Sequence, residues 1–127
     1  MISVLPLKDK NEIKSLFLKH GIEFSENANC VMAKDKEEIL GYCLFRIEND
    51  EITVFEIEPK NDLLLADGIL RSALHNGVCA NVAKAFYSQK APEEIFEKLK
   101  FILNRAEKTL NISKLFESCS ECQDKNT

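Results

Sequence analysis

The chain lacks a positive charge excess: its 127 residues carry 17 lysines and arginines against 21 aspartates and glutamates, a net charge of −4. A protein that holds nucleic acid through its overall charge needs a basic face to displace counterions, so no nucleic-acid partner is expected. Long apolar runs are missing too, none approaching the ~20 residues of a membrane-spanning helix, and no membrane partner is expected. The opening Met1-Ile2-Ser3-Val4-Leu5-Pro6 has neither the basic stretch nor the small-residue cleavage site of a secretion signal, which makes the cytoplasm the expected compartment. Repeats, low-complexity tracts and linkers are absent as well. What is present is the balance of a globular protein, 45% hydrophobic and 30% charged residues. The length predicts one domain over 1–117, followed by a polar tail over 118–127.

Five cysteines stand at 30, 43, 79, 119 and 122. An odd count without a secretion signal fits reduced thiols better than a disulfide framework. Cys30, Cys43 and Cys79 lie in apolar stretches, where a thiol packs as a small hydrophobe. Cys119 and Cys122 form a single CxxC in the tail. A structural zinc takes four ligands, and the sequence has no second CxxC and no HxxxH, so no metal site is expected within the chain. A metal or redox pairing shared with a partner chain is the alternative for that motif.

Ile2 to Leu5 reads as a first strand ended by Pro6. Asp9-Lys10-Asn11-Glu12 has the spacing of a capping box, and Ile13, Leu16, Phe17 and His20 follow at helical intervals before Gly21 stops the helix. Residues 22–28 read as loop or a poorly formed second helix. Three strand runs follow, at 30–33, 39–47 and 51–58, and the short polar turns between them predict an antiparallel meander. From Leu63 to Asn76 the period becomes helical, with Leu65, Ala66, Ile69, Leu70, Ala73 and Leu74 on one face and Gly77 as the stop. Val78 to Tyr87 reads as a strand buried on both faces. Pro92 opens a helix with an apolar stripe of Ile95, Phe96, Leu99, Ile102 and Leu103. Thr109 to Phe116 fits a last strand, a short helix or both. The order β-α-βββ-α-β-α-(β) is α/β with a mixed α+β sheet, not a doubly wound parallel one.

That order, with two local segments, resembles the GNAT superfamily of N-acetyltransferases. The stretch Glu51-Ile52-Thr53-Val54-Phe55-Glu56-Ile57-Glu58-Pro59 through Asp67-Gly68-Ile69-Leu70-Arg71-Ser72-Ala73-Leu74 is similar to the family's fourth strand, its proline exit and the helix that holds the coenzyme A pyrophosphate. Phe96-Glu97-Lys98-Leu99-Lys100-Phe101 is similar to the late Tyr-Glu-Lys-Leu-Gly-Phe signature. The resemblance implies acetyl-CoA as cosubstrate, a small amine or peptide amine as acceptor, and subunits that pair as a homodimer. It also implies a wedge between the fourth and fifth strands for the pantetheine arm, held by backbone groups of Phe55, Glu56 and Ile57. The family's phosphate loop, Arg/Gln-x-x-Gly-x-Gly/Ala, aligns with Leu63-Leu64-Leu65-Ala66-Asp67-Gly68. Ala66 and Gly68 then fill the glycine positions, with Ile69 next in the helix, and Leu63 replaces the cationic or amide residue. Asp67 places a negative charge near the phosphates or is an ordinary helical acid. Arg71 either restores positive charge there or pairs with Asp67 at i,i+4.

Acetyl transfer to an amine needs a deprotonated nucleophile, donors for the developing oxyanion and a proton for the departing thiolate. Phe96 lacks the hydroxyl of the family's usual acid. Tyr87 is the candidate substitute, or else a strand-end aromatic with its hydroxyl in water. The base falls to Glu51 or Glu56, which face opposite sides of a regular strand and are therefore alternatives. Both also fit solvated hairpin acids. Cys43 is a nucleophile on paper, with core packing as the other reading. Between Glu48 and Asp62 six acids stand against one base, Lys60. They are either a rim that attracts a cationic amine or ordinary solubility charge. Two functions follow: an acetyl-CoA-dependent N-acetyltransferase, or a catalytically inactive module of the same fold that binds or interacts.

Overall fold

The computed structural model describes residues 2–115; the 118–127 tail with Cys119 and Cys122 lies outside them, as does Phe116. The chain builds β1 (Ile2–Pro6), α1 (Lys10–Lys19), β2 (Ala28–Asp35), β3 (Glu38–Glu48), β4 (Glu51–Glu58), α2 (Leu63–Cys79), β5 (Lys84–Tyr87), α3 (Glu93–Lys98), β6 (Ile102–Asn104) and β7 (Thr109–Leu110). The strands form one sheet in the order β1-β2-β3-β4-β5-β7-β6. Its neighbours pair antiparallel except β4 and β5, which the α2 crossover leaves parallel. Among the described residues no helix is long and apolar enough to cross a membrane.

Local chemistry accounts for most of these boundaries. The Asp9 carboxylate accepts from the amides of Asn11 (2.9 Å) and Glu12 (3.4 Å), which caps α1, and Gly21 follows its end at φ 69°. Asn49 and Asp50 both adopt positive φ in the two-residue β3–β4 turn, the conformation a tight hairpin needs. α1 buries Ile13 and Phe17 against Met32, Tyr42 and Leu44 on one face of the sheet. α2 and α3 cover the other face, packing Ala66, Ile69, Leu70, Phe96 and their neighbours on Val31, Cys43, Ile52 and Val54.

Three boundaries differ from the sequence reading. Gly77 does not end α2. It is used for close packing, since a Cβ there would stand 3.0 Å from Val82 and 3.3 Å from Ile52, and the helix runs on to Cys79 before Asn81 turns at φ 65°. Val78 and Cys79 are therefore helical and β5 keeps only Lys84–Tyr87. α3 is a six-residue helix, because Lys100 takes φ 62° and the Phe101 amide closes back on the Phe96 carbonyl. Ile102 and Leu103 thus fall on β6, with Leu103 exposed. Finally, Cys30 and Cys43 are buried as expected, but Cys79 is exposed. Burial pushes the Cys30 thiol up to about 12 and Cys43 well above its ordinary value, so Cys43 supplies no thiolate nucleophile.

Candidate functional site: the fork between β4 and β5

β4 is twice as long as β5, and the two pair only from Glu51↔Lys84 to Val54↔Tyr87. The last link is the Ser88 amide donating to the Val54 carbonyl at 2.8 Å. Beyond it, Phe55–Glu58 have β3 on one side and no β5 partner on the other. The sheet forks there. At the same point the β3–β4 register slips, from Phe45↔Val54 to Leu44↔Glu56, so Phe55 is an extra residue, a β-bulge.

The bulge resets which way β4 points its side chains. Ile52 and Val54 face the α2 side, and after the extra residue it is Ile57 that returns to that core. Phe55 packs instead beside Phe17 of α1 (ring centroids 5.9 Å apart), and Glu56 reaches His20 on the same side. Glu51 and Glu56 therefore share a face, contrary to the regular-strand expectation, although they remain five residues apart. Glu51 lies with Arg46, Glu48 and Thr53 near the β3–β4 turn, whereas Glu56 lies at the fork.

Glu56 is the hub of a polar cluster. Its Oε1 accepts from the Ile57 amide (3.0 Å) and from Lys60 Nζ (3.1 Å), and its Oε2 lies 3.4 Å from His20 Nδ1. His20 Nε2 lies 2.7 Å from the Tyr42 hydroxyl. With Nδ1–H directed at the carboxylate, a neutral imidazole offers Nε2 as an acceptor for that hydroxyl. Lys60 also pairs with Glu58. Burial opposes the Lys60 charge, yet its bonds to Glu58 and Glu56 outweigh this and hold the ammonium above its ordinary value. Burial, with the charges of Glu58 and Glu56, raises the Tyr42 hydroxyl against the opposing pull of Lys60.

Two cavities flank this cluster. One, of about 210 Å³, is lined on the α1 side by His20, Glu23, Phe55, Glu56, Ser88 and Lys90, among others. The other, of about 460 Å³, is lined by Lys60, Pro92, Glu93, Glu94, Ile95 and Lys98. The Glu56–Lys60 ion pair joins a wall of the first to a wall of the second.

The start of α2 is arranged differently from a glycine-rich phosphate loop. Asp62 caps it, its carboxylate taking the Leu65 amide (3.1 Å) and its carbonyl the Ala66 amide (2.9 Å). Asp67, Gly68 and Ile69 lie past the first turn, where helical geometry directs each amide to the carbonyl four residues back. That leaves the amides of Leu63 and Leu64 at the helix's positive end. Ala66 and Ile69 bury their side chains in the core. Arg71 pairs with Asp67 (Nε to Oδ2, 2.8 Å) along one edge of its guanidinium and lies over the Phe101 ring with one face. The six acids between Glu48 and Asp62 do not form one rim either: Glu48 pairs with Arg46, Glu56 and Glu58 with Lys60, and Asp62 caps α2.

Tyr87 ends β5 but does not reach water. It is buried, its ring 5.3 Å from that of Phe96, and its hydroxyl donates to Glu93 Oε2 at 2.6 Å. Burial, then the Glu93 bond and charge, push it from 10.0 up to about 12, with Arg105 opposing. The folded state therefore holds a proton that the unfolded chain releases near pH 10. The resulting stabilisation is intact below pH 10 and is lost as pH rises toward 12. The chain has two tyrosines and no tryptophan, so alkaline tyrosinate absorbance reads Tyr42 and Tyr87 alone. Both should ionise late, and denaturant unfolding at stepped pH should show the alkaline loss shrink in Tyr87→Phe.

The fork thus gathers Glu56, Phe55 and Ile57, and leaves Glu51, Tyr87 and the Ala66–Arg71 segment apart from its polar cluster. His20, Tyr42, Lys60 and Lys90 are not among the residues that the sequence marks for the site. One signal was present: His20 continues the apolar stripe of Ile13, Leu16 and Phe17, and a polar side chain on a buried face needs a partner.

No protein-family model and no curated protein matches this sequence. Solved structures do resemble its fold. The ribosomal-protein-S18-alanine N-acetyltransferase from Escherichia coli superposes with a TM-score of 0.55 at 15% identity, over 78% of this chain and 76% of that one. A Bacillus subtilis acetyltransferase in complex with CoA gives 0.57 at 10% identity, over 82% and 78%. A mutant AtaT toxin bound to the C-terminus of the antitoxin AtaR gives 0.56 at 15% identity, over 91% and 97%. The sheet order, the parallel β4–β5 crossover and these likenesses together establish that the chain has the fold of the GNAT-superfamily acetyltransferases.

Proposed function

We propose that this protein is a cytoplasmic, acetyl-CoA-dependent N-acetyltransferase that acts on a small amine or peptide amine at the fork. The observation that carries the reading is the early end of the β4–β5 ladder. It leaves Phe55–Glu58 without a strand partner on one edge, between a cavity with two lysines and a cavity with the half-buried Glu56 carboxylate. An extended pantetheine arm can add to that edge as a strand would. Lys60 and Lys98 would face the coenzyme's phosphates, and the amides of Leu63 and Leu64 would add their positive helix end. The coenzyme supplies the acyl thioester. Glu56 takes the proton from the acceptor's ammonium, while His20, fixed by Tyr42, holds the carboxylate in place.

One observation favours the second reading, a non-catalytic module of this fold: Asp62 sets a carboxylate at the helix end that would meet the diphosphate. Coenzyme binding decides the first question. Acetyl-CoA at 100 times its dissociation constant should add about 2.7 kcal/mol of stability, a rise of roughly 10 °C in melting temperature for a domain of this size. No shift at saturating concentration overturns the transferase reading. A shift without release of the CoA thiol across a panel of amines leaves a coenzyme-binding module.

A further inference from the structure

The α1-side cavity carries two kinds of charge, and they differ in how they are used. At its inner wall, Glu56 is shared among His20, Lys60 and the Ile57 amide. At its rim, the exposed Lys90 and Glu23 have no charged partner among the described residues. Lys90 sits just beyond the fork, on the segment whose Ser88 amide closes the β4–β5 ladder, and its own amide donates to Ser88 Oγ at 3.3 Å. Its backbone is therefore held, and its ammonium is free. Of the β4 acids only Glu56 lines this opening; Glu58 pairs with Lys60, and Glu51 lies near the β3–β4 turn. At about 210 Å³ the cavity is smaller than the ~300–1,000 Å³ that hold drug-sized ligands.

Resting on the transferase reading, we propose that the acceptor is a small amino acid: an amine whose own carboxylate is read by Lys90 while the amine reaches Glu56. A simple cationic amine satisfies Glu56 and leaves Lys90 unmatched. A molecule carrying both charges matches Glu56 at the wall and Lys90 at the rim. Lys90 is then a specificity-determining residue that acts on substrate binding, without part in the proton transfer.

The test compares lysine with lysinamide and glycine with glycinamide, so that each pair keeps its amine and differs in the carboxylate, at two spacings. Binding is measured by calorimetry with CoA present, and transfer by thiol release from acetyl-CoA. An ion pair at such an exposed rim is worth up to about fivefold in affinity. The acid of at least one pair should bind about threefold to fivefold more tightly than its amide, through KM and not kcat. Lys90→Met should erase that preference. Equal binding of acid and amide in both pairs, no binding of any of the four, or a preference that survives Lys90→Met, overturns the proposal. A Lys90-dependent preference in binding without any thiol release sustains the dipolar site and overturns the transferase reading alone.

Discussion

Glu56→Gln should lower the rate of acetyl transfer about 10²–10⁴-fold, the range general-base catalysis contributes, while leaving acetyl-CoA binding nearly intact. Glutamine keeps the length and the hydrogen-bonding oxygen of Glu56 and removes the charge that accepts a proton. The Ile57 amide, 3.0 Å from Oε1, still has an acceptor, so the fork keeps its shape. The loss belongs in kcat, because the base acts in the transition state and not in coenzyme binding. Glu51→Gln is the matched control. Glu51 lies on the same face of β4 but near the β3–β4 turn, with Arg46, Glu48 and Thr53, and its replacement should leave turnover unchanged. His20→Gln should give a smaller fall, since His20 orients the carboxylate and does not receive the proton. Thiol release at saturating acetyl-CoA measures all three, and unchanged turnover in Glu56→Gln removes that carboxylate from the chemistry.

That Glu56, and not Glu51, meets His20 and Lys60 follows from a feature that no single sequence displays. The Asp9 cap, the Asn49-Asp50 turn and the helical stripe of α2 are local, encoded within a few residues, and each was readable. The bulge at Phe55 depends on how β3 meets β4, and nothing in Glu51–Glu58 announces an extra residue. The cluster of His20, Tyr42, Glu56 and Lys60 draws on a helix end, a central strand, the fork and the exit loop, and only the sheet order brings them together. The misplaced ends of α2 and α3 have a related cause. Gly77 and the Leu99–Lys100 step look like stop and continuation signals respectively, yet packing against Ile52 and Val82 keeps Gly77 helical, and a positive φ at Lys100 ends α3 early. Gly68 shows the same gap between motif and context. It aligns with a phosphate-loop glycine, but it lies inside α2 with open space around it.

Two glycines near the fork should respond to alanine with opposite signs. Gly41→Ala should cost about 3 kcal/mol, the upper part of the range for an overpacked core, and should lower the melting temperature by roughly 10 °C. A Cβ on Gly41 would lie 2.4 Å from the Glu58 carbonyl oxygen, 2.7 Å from Pro59 Cδ and 2.8 Å from Ile69 Cδ1. Two of these atoms belong to the exit of β4, the backbone carbonyl and the ring of the next residue, and neither can swing aside as a flexible side-chain tip would. The strain must be relieved by moving the end of β4 away from β3. That end carries Glu58, the partner of Lys60, and lies two residues beyond Glu56. Loss of stability should therefore be joined by weaker acetyl-CoA binding. Gly68→Ala meets nothing within 4 Å and replaces a helical glycine. It should stabilise the fold by about 0.5–1 kcal/mol and, with its amide already inside the helix, leave coenzyme affinity unchanged. Thermal unfolding with and without acetyl-CoA reads both variants. A destabilised Gly68→Ala, or a Gly41→Ala protein as stable as the native one, contradicts the packing described for this end of the sheet.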